Sequence, residues 1–109
     1  MTDLEITKMC AEAMGYEHFR EGAIGSFYAW NGSDPAKAWE YDPLHDDAQA
    51  MALVKKMCLY VGPPLYFEEL DSWTVSNKSS IKDKNTIYVV NRNLNRAICE
   101  CVAKMQAAK

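Results

Sequence analysis

The sequence predicts an α+β fold: a single-domain α-β-α sandwich in which three helices pack on a mainly antiparallel sheet of three to five strands. Two observations predict this class. Three segments carry apolar residues at helical spacing along one face only, and short alternating or β-branched segments lie between them. The 109 residues have the length of one domain, assigned to residues 1–109, and no internal repeat or linker divides them.

The first helix is predicted over residues 3–14. Thr2 and Glu5 have the spacing of a capping box, in which the Thr hydroxyl accepts one of the unpaired N–H groups of the first turn. Gly15 suits the left-handed conformation that often ends a helix. Apolar residues recur every three or four positions between these two signals, so one face of the helix is expected in the core.

The second and third helices are predicted over residues 46–57 and 94–107. Asp46 precedes Gln49 by three positions, which repeats the capping spacing, and two lysines occupy the last turns. A polar segment, Asn91–Asn95, supplies a cap for the third helix, after which apolar residues again follow at helical spacing.

Short strands are predicted between the helices. A turn signal at residues 31–32 favours pairing of the first two strands in a hairpin, and the polar residues 77–85 are predicted as a second hairpin loop. Residues 16–24 are interpreted as a loop. The predicted strands are Ser26–Trp30, Ala38–Tyr41, Cys58–Val61, Ser72–Ser76 and Thr86–Val90.

Composition and charge exclude several classes of protein. Apolar residues make up 49% and charged residues 25%, which excludes disordered and low-complexity chains. No apolar run approaches the ~20 residues of a membrane span, and the N-terminus lacks the pattern of a signal peptide. We therefore expect no membrane partner and a cytoplasmic location. Residues 1–75 contain 13 acidic and 5 basic residues and residues 76–109 contain 2 and 7, an asymmetry that can orient a partner or a homo-oligomer contact.

The four cysteines predict core packing rather than disulfides or a metal site. In a reducing compartment thiols remain free, and Cys10, Cys58 and Cys101 lie on the apolar stripes of the predicted elements. Cys99 and Cys101 point in different directions on a helix, so they cannot share one metal ion. No cofactor or metal is expected.

No catalytic constellation stands out. The two histidines, His18 and His45, lack a neighbouring nucleophile. Asp42, Asp46 and Asp47 offer oxygen ligands, but helix capping explains them better than a cation site. We therefore interpret the chain as not an enzyme, with a nuclease or hydrolase kept as a minor alternative.

Aromatic and acidic residues form the candidate partner-binding site. Exposed Trp and Tyr are favoured at binding hot spots because they bury a large area at low entropic cost. Core packing is instead expected for Trp73 and for one of Trp30 or Tyr28. The predicted contact residues are Trp39, Tyr41, Tyr66, Glu68, Glu69 and Asp71.

A nucleotide site is the alternative. The predicted start of the third helix is basic, and its free N–H groups suit a phosphate. Arg92, Asn95 and Arg96 would then hold the phosphate, and an outward tyrosine would stack on the base.

Four segments in order resemble one known family. They are M-G-Y at residues 14–16, Y-D-P-L-H-D-D-A-Q-A at 41–50, W-T-V at 73–75 and A-I-C at 97–99. With these the chain resembles the small phage and prophage proteins grouped as the phage ABA sandwich domain family. The match spans nearly the whole chain but departs at residues 62–70, where two prolines and two glutamates stand.

The resemblance implies a phage origin, an α-β-α sandwich and no catalytic residues. Small phage accessory proteins often act by binding, so the leading expectation is a non-enzymatic inhibitor of a bacterial host defence protein, such as a CRISPR or similar immune protein. The alternative is an oligomeric sponge that sequesters a nucleotide immune signal. A structural role in the phage particle also remains open.

Overall fold

The computed structural model describes residues 1–62, 72–78 and 84–109. It consists of three α-helices and six short strands. In chain order these are α1 (Asp3–Met14), β1 (His18–Glu21), β2 (Phe27–Trp30), β3 (Trp39–Glu40), α2 (Asp47–Met57), β4 (Tyr60–Gly62), β5 (Trp73–Ser76), β6 (Tyr88–Asn91) and α3 (Leu94–Ala107).

The three helices begin where the capping signals predict. Thr2, Asp46 and Asn93 each accept the backbone N–H of the residue three positions later, at 3.0 to 3.2 Å. These bonds satisfy one of the unpaired N–H groups of each first turn. Gly15 ends α1 at φ +79°, a conformation that costs glycine little because it has no Cβ. The bounds of all three predicted helices are confirmed to within one residue.

The strands form two antiparallel sheets in the described part of the chain. The first sheet has the order β1-β2-β3 and the second the order β4-β5-β6. The α+β class, the three helices and the antiparallel pairing are therefore confirmed. The strands are nevertheless divided between two sheets, whereas the sequence suggested one, because the alternation that predicts a strand says nothing about its distant partners.

Helix α3 lies at the centre of the core. It packs against α1, α2, β5 and β6, while α1 also contacts β2. The face of α3 toward these neighbours is fully buried at Ile98, Cys101 and Val102. The first sheet contributes Phe27 and Ala29 to the same core, and the second contributes Val75 and Val89. One continuous core thus supports both sheets and fixes which of their faces remain outside.

The segment interpreted as a loop, residues 16–24, contains strand β1. Its four residues pair in register with β2, so that His18 lies opposite Trp30 and Arg20 opposite Tyr28. Phe19 is the only apolar residue of β1, which is too weak an alternation to identify a strand. Cross-strand contacts to the β2 aromatics stabilise it instead.

The predicted strand Cys58–Val61 begins two residues later than expected. Cys58 takes a left-handed conformation, φ +54°, and ends α2, so the strand starts at Tyr60. Consequently the Cys58 side chain is exposed, and its predicted core position is wrong. Cys10, Cys99 and Cys101 are buried as free thiols.

Native alkylation should therefore distinguish Cys58 from the other thiols. Burial raises the pKa of the Cys101 thiol to about 11, which disfavours the reactive thiolate. We expect iodoacetamide at pH 8 to add one adduct to the folded protein, at Cys58, and four in denaturant, as read by intact mass. Cys58→Ser should then show none when folded. Equal labelling of Cys101 and Cys58 in the folded protein would contradict the packing described here.

Candidate functional site

The predicted contact residues lie only partly within the described chain. Tyr66, Glu68, Glu69 and Asp71 fall in residues 63–71, outside the described residues. Trp39 is 36% exposed and rests edge-on against the Tyr16 ring, with ring centroids 5.1 Å apart. This contact fixes the indole at the surface, as a binding residue would require.

Tyr41 belongs to the core rather than to an exposed surface. Its side chain is 1% exposed and packs perpendicular to the Tyr16 ring, with ring centroids 5.2 Å apart. Burial raises the pKa of its hydroxyl well above the usual value. Among the described residues the hydroxyl has no hydrogen-bond partner. Tyr41 therefore supports Tyr16, and through it Trp39, and does not itself reach a partner.

The residues of the nucleotide alternative hold the helices together. Arg96 donates from Nη1 to Asp3 at 2.9 Å and from Nε to Glu100 at 2.7 Å, which joins α3 to α1. Asn95 donates from Nδ2 to Asp47 at 2.8 Å and joins α3 to α2. Two of the three side chains thus already have carboxylate partners that a phosphate would have to displace.

The outer face of the first sheet carries aromatic rings covered by their neighbours. His18 stacks on Trp30 with centroids 5.3 Å apart, and the Arg20 guanidinium lies over the Tyr28 ring at 5.5 Å. Both aromatic rings are half-buried, so neither the expected core position nor full exposure applies to them. A cation over an aromatic face is mildly stabilising, and these pairs reduce the apolar area offered to a partner.

The outer face of the second sheet is more exposed, and the sequence did not single it out. Tyr60 is 53% exposed, Tyr88 45% and Val90 42%. Register places all three on the side opposite the core residues Val75 and Val89. Tyr88 and Val90 lie in the predicted strand Thr86–Val90, which is rich in β-branched and aromatic residues. Because its residues 87–90 are all apolar, the sequence does not indicate which side of this strand is buried.

Trp73 is 41% exposed, so its predicted core position is wrong. It shares the core-facing side of β5 with Val75, as the alternation indicates. However, it opens the strand and pairs with Asn91, the last residue of β6. The buried part of this face begins two residues further on, at Val75. The exposed Trp73 therefore adds apolar area at the end of the second sheet.

An open groove runs beside the second sheet, between β6 and the C-terminal half of α3. Its volume is about 640 Å³. Residues 86–90 form one wall and Glu100, Lys104 and Ala108 the other. Glu100 and Lys104 are four residues apart on one side of α3, and Ala108, the residue that follows the helix, continues the same spacing. The groove adjoins the exposed side chains of Tyr88 and Val90.

A second cavity, of about 310 Å³, lies between α1 and the segment that follows β3. Asp3, Glu40, Asp42 and His45 are among its lining residues, and His45 Nδ1 lies 2.9 Å from an Asp42 carboxylate oxygen. In residues 1–62, 72–78 and 84–109, no group of three His, Cys, Asp or Glu side chains is arranged to hold a metal ion. Over the same residues, no helix is long and apolar enough to cross a membrane.

Ile24, at the rim of the second cavity, is strained and wholly exposed. It has φ +61°, which a β-branched residue rarely adopts, and its side chain lies outside the core. We expect Ile24→Gly to raise the free energy of unfolding by about 1 kcal/mol, because glycine adopts this conformation without steric cost. Ile24→Val keeps the β-branch and should leave it unchanged in urea unfolding. Equal stability of all three proteins would show that no strain is stored there.

Comparison of the chain with protein-family models and with curated proteins finds no match. The functional argument therefore rests on the molecule itself. It is an α+β protein with a small antiparallel sheet whose outer side presents apolar residues, bordered by an open groove. These features define a candidate binding surface, formed by Tyr60, Tyr88 and Val90, which we call the second-sheet face.

Proposed function

We propose that the chain is a non-enzymatic binding protein that recognises another protein through the second-sheet face. The observation that carries the proposal is the joint exposure of Tyr60, Tyr88 and Val90 on one side of one sheet. Grouped exposed apolar residues on a small protein mark interaction sites, and tyrosine is enriched at binding hot spots.

The chemistry of this face favours a protein over a nucleotide. The exposed rings belong to the two outer strands, while the β5 residues on the same side, Thr74 and Ser76, are buried. The rings can bury apolar side chains of a partner. A nucleotide site needs cations at phosphate distance, whereas Arg96 is held by Asp3 and Glu100. The nucleotide sponge stays a prediction, with Arg92, Asn95 and Arg96 as its residues.

The biological setting we propose is counter-defence by a phage. It rests on the resemblance to the phage ABA sandwich family and not on the surface. In this setting the chain acts in the cytoplasm of the bacterial host, and its partner is a host defence protein that it blocks by occupying a functional surface. Trp39 is a second anchor of the same kind, since it is exposed and fixed in orientation by Tyr16.

Native mass spectrometry of the tagged protein, purified gently from a bacterial host challenged with phage, tests the proposal. We expect a stoichiometric complex with a host protein, which can then be assayed for inhibition. An oligomer that carries a few hundred daltons of extra mass would instead support the nucleotide sponge. A protein that emerges without any partner after challenge would contradict the proposed function.

A further inference from the structure

Strand β6 is an edge strand whose outward backbone groups border the groove. The order β4-β5-β6 leaves one side of β6 unpaired by any described strand. Asn77 N–H donates to Ile87 O at 3.1 Å, and Ile87 N–H donates to the Asn77 side chain at 2.9 Å. Because antiparallel pairs alternate, Val89 also bonds toward β5. The N–H and C=O groups of Tyr88 and Val90 therefore point away from β5, toward the groove.

The groove has the dimensions of one added strand. Its helix wall, from Glu100 to Ala108, spans two turns, a rise of about 12 Å. Four residues of an extended chain cover about 13 Å. A strand laid in the groove would pair with Tyr88 and Val90 on one side and contact α3 on the other. This arrangement is the geometry of β-strand addition, in which backbone hydrogen bonds supply affinity and alternate side chains supply specificity.

Charge in the groove selects an acidic occupant. Glu100 is already bonded to Arg96 at 2.7 Å. Lys104, on the same side of α3, makes no ion pair with any residue that the structure describes. The described segment 84–109 contains five basic residues and one acidic residue. A carboxylate on the occupant would therefore find Lys104 available and little acidic charge to oppose it.

We propose that β6 binds an extended, acidic segment of a partner protein as a fourth strand of the second sheet. The segment carries apolar residues at alternate positions, which lie beside Tyr88 and Val90, and an acidic residue between them that faces Lys104. A second copy of the chain fits the groove less well, because its own β6 contains no acidic residue to face Lys104 and is flanked by Lys84 and Arg92. The inference rests on the proposed function and specifies how the partner is held.

Selection from a displayed library of random decapeptides tests this inference. We expect the enriched peptides to alternate apolar and acidic residues. Val90→Pro removes the outward N–H without removing a bond to β5, so it should weaken their binding about tenfold or more. Val90→Thr keeps that N–H, so it should bind these peptides more tightly than Val90→Pro does. Lys104→Glu should also weaken binding about tenfold, most strongly at low salt.

Modified peptides keep the test decisive if Val90→Pro does not fold. N-methyl groups at every second residue block one edge of an extended peptide, and shifting them by one residue blocks the other edge. On the unaltered protein, one of the two N-methylated peptides should bind and the other should not. Equal binding of both, a library that yields no binder, or enriched peptides without alternation would each overturn the inference.

The outcome also separates this inference from the proposed function. If a host protein captured with the chain binds folded Val90→Pro as tightly as the original protein, the strand-addition mode fails while the binding function stands. If Val90→Pro binds that host protein more weakly than Val90→Thr does, both stand. If no host protein is captured at all, the proposed function fails, whatever the peptides do.

Discussion

Ile98→Ala should lower the free energy of unfolding by about 2–5 kcal/mol, the range for a large-to-small change in a well-packed core. Ile98 is fully buried in α3, the helix that contacts both other helices and the second sheet. The loss has two parts: the removed methyl and methylene groups no longer leave water on folding, and the surrounding elements cannot all close the cavity. Urea unfolding followed by circular dichroism measures it.

Met51→Ala is the matched control for this prediction. Met51 also lies on a helix, but its side chain is exposed, so its truncation should change the free energy of unfolding by less than about 0.5 kcal/mol. A domain of this size has a total stability of about 5–15 kcal/mol, so Ile98→Ala should also unfold at a clearly lower temperature. Similar losses for the two variants would show that α3 is not the centre of the core.

Two substitutions at Tyr41 should differ sharply in their effect on stability. Tyr41→Ala removes a buried ring and should cost about 3–5 kcal/mol, as for other aromatic truncations. Tyr41→Phe removes only the buried hydroxyl, which no described residue hydrogen-bonds. Since an unsatisfied buried polar group costs about 1–3 kcal/mol, the Phe variant should be as stable as the original protein or more stable by about 1 kcal/mol.

The Tyr41 pair also tests the assignment of this residue to the core. Tryptophan fluorescence should change in Tyr41→Ala, because Tyr16 loses its support and no longer holds Trp39 in place, and should be unchanged in Tyr41→Phe. Destabilisation by Tyr41→Phe would reveal a hydrogen bond that the structure does not contain. If Tyr41→Ala left stability unchanged but weakened partner binding, Tyr41 would be a surface contact after all, and its placement in the core would be wrong.

The helices could be predicted from the sequence because their signals are local. A cap, one apolar stripe and a terminal residue lie within about four turns of each other, and the capping bonds of Thr2, Asp46 and Asn93 form as expected. The hairpin of the first sheet was also predictable, since β2 and β3 are close in sequence and pair antiparallel.

The remaining strands and the exposed face depend on distant contacts. Strand β1 has little apolar alternation of its own and exists because His18 and Arg20 meet the β2 aromatics. Tyr60 and Tyr88 lie on the same side of the second sheet only because β4 and β6 both pair with β5. Their exposure depends on which side of the second sheet packs against α3. The local sequence around each residue does not determine that side.

Burial was misjudged at sites where local pattern and position in the sheet disagree. Trp73 has the alternation of an inward residue but lies at the end of its strand. Tyr41 looks like an aromatic contact beside Trp39, yet it packs beneath Tyr16. In both cases the sequence indicates the direction of the side chain. How deeply the side chain is buried depends on which other elements cover it.

Affinity of the captured host protein for two matched double variants tests the central claim most directly. Tyr60→Ser with Tyr88→Ser removes the rings of the second-sheet face, and Ile24→Ser with Met51→Ser removes two exposed apolar side chains that lie outside the second sheet. With folding verified by circular dichroism, we expect the first double variant to lose about a hundredfold or more in affinity, as for two hot-spot residues, and the second to bind nearly as well as the original protein. Unchanged affinity of the Tyr60 and Tyr88 variant, with loss in the other, would contradict the assignment of the binding surface to the second sheet.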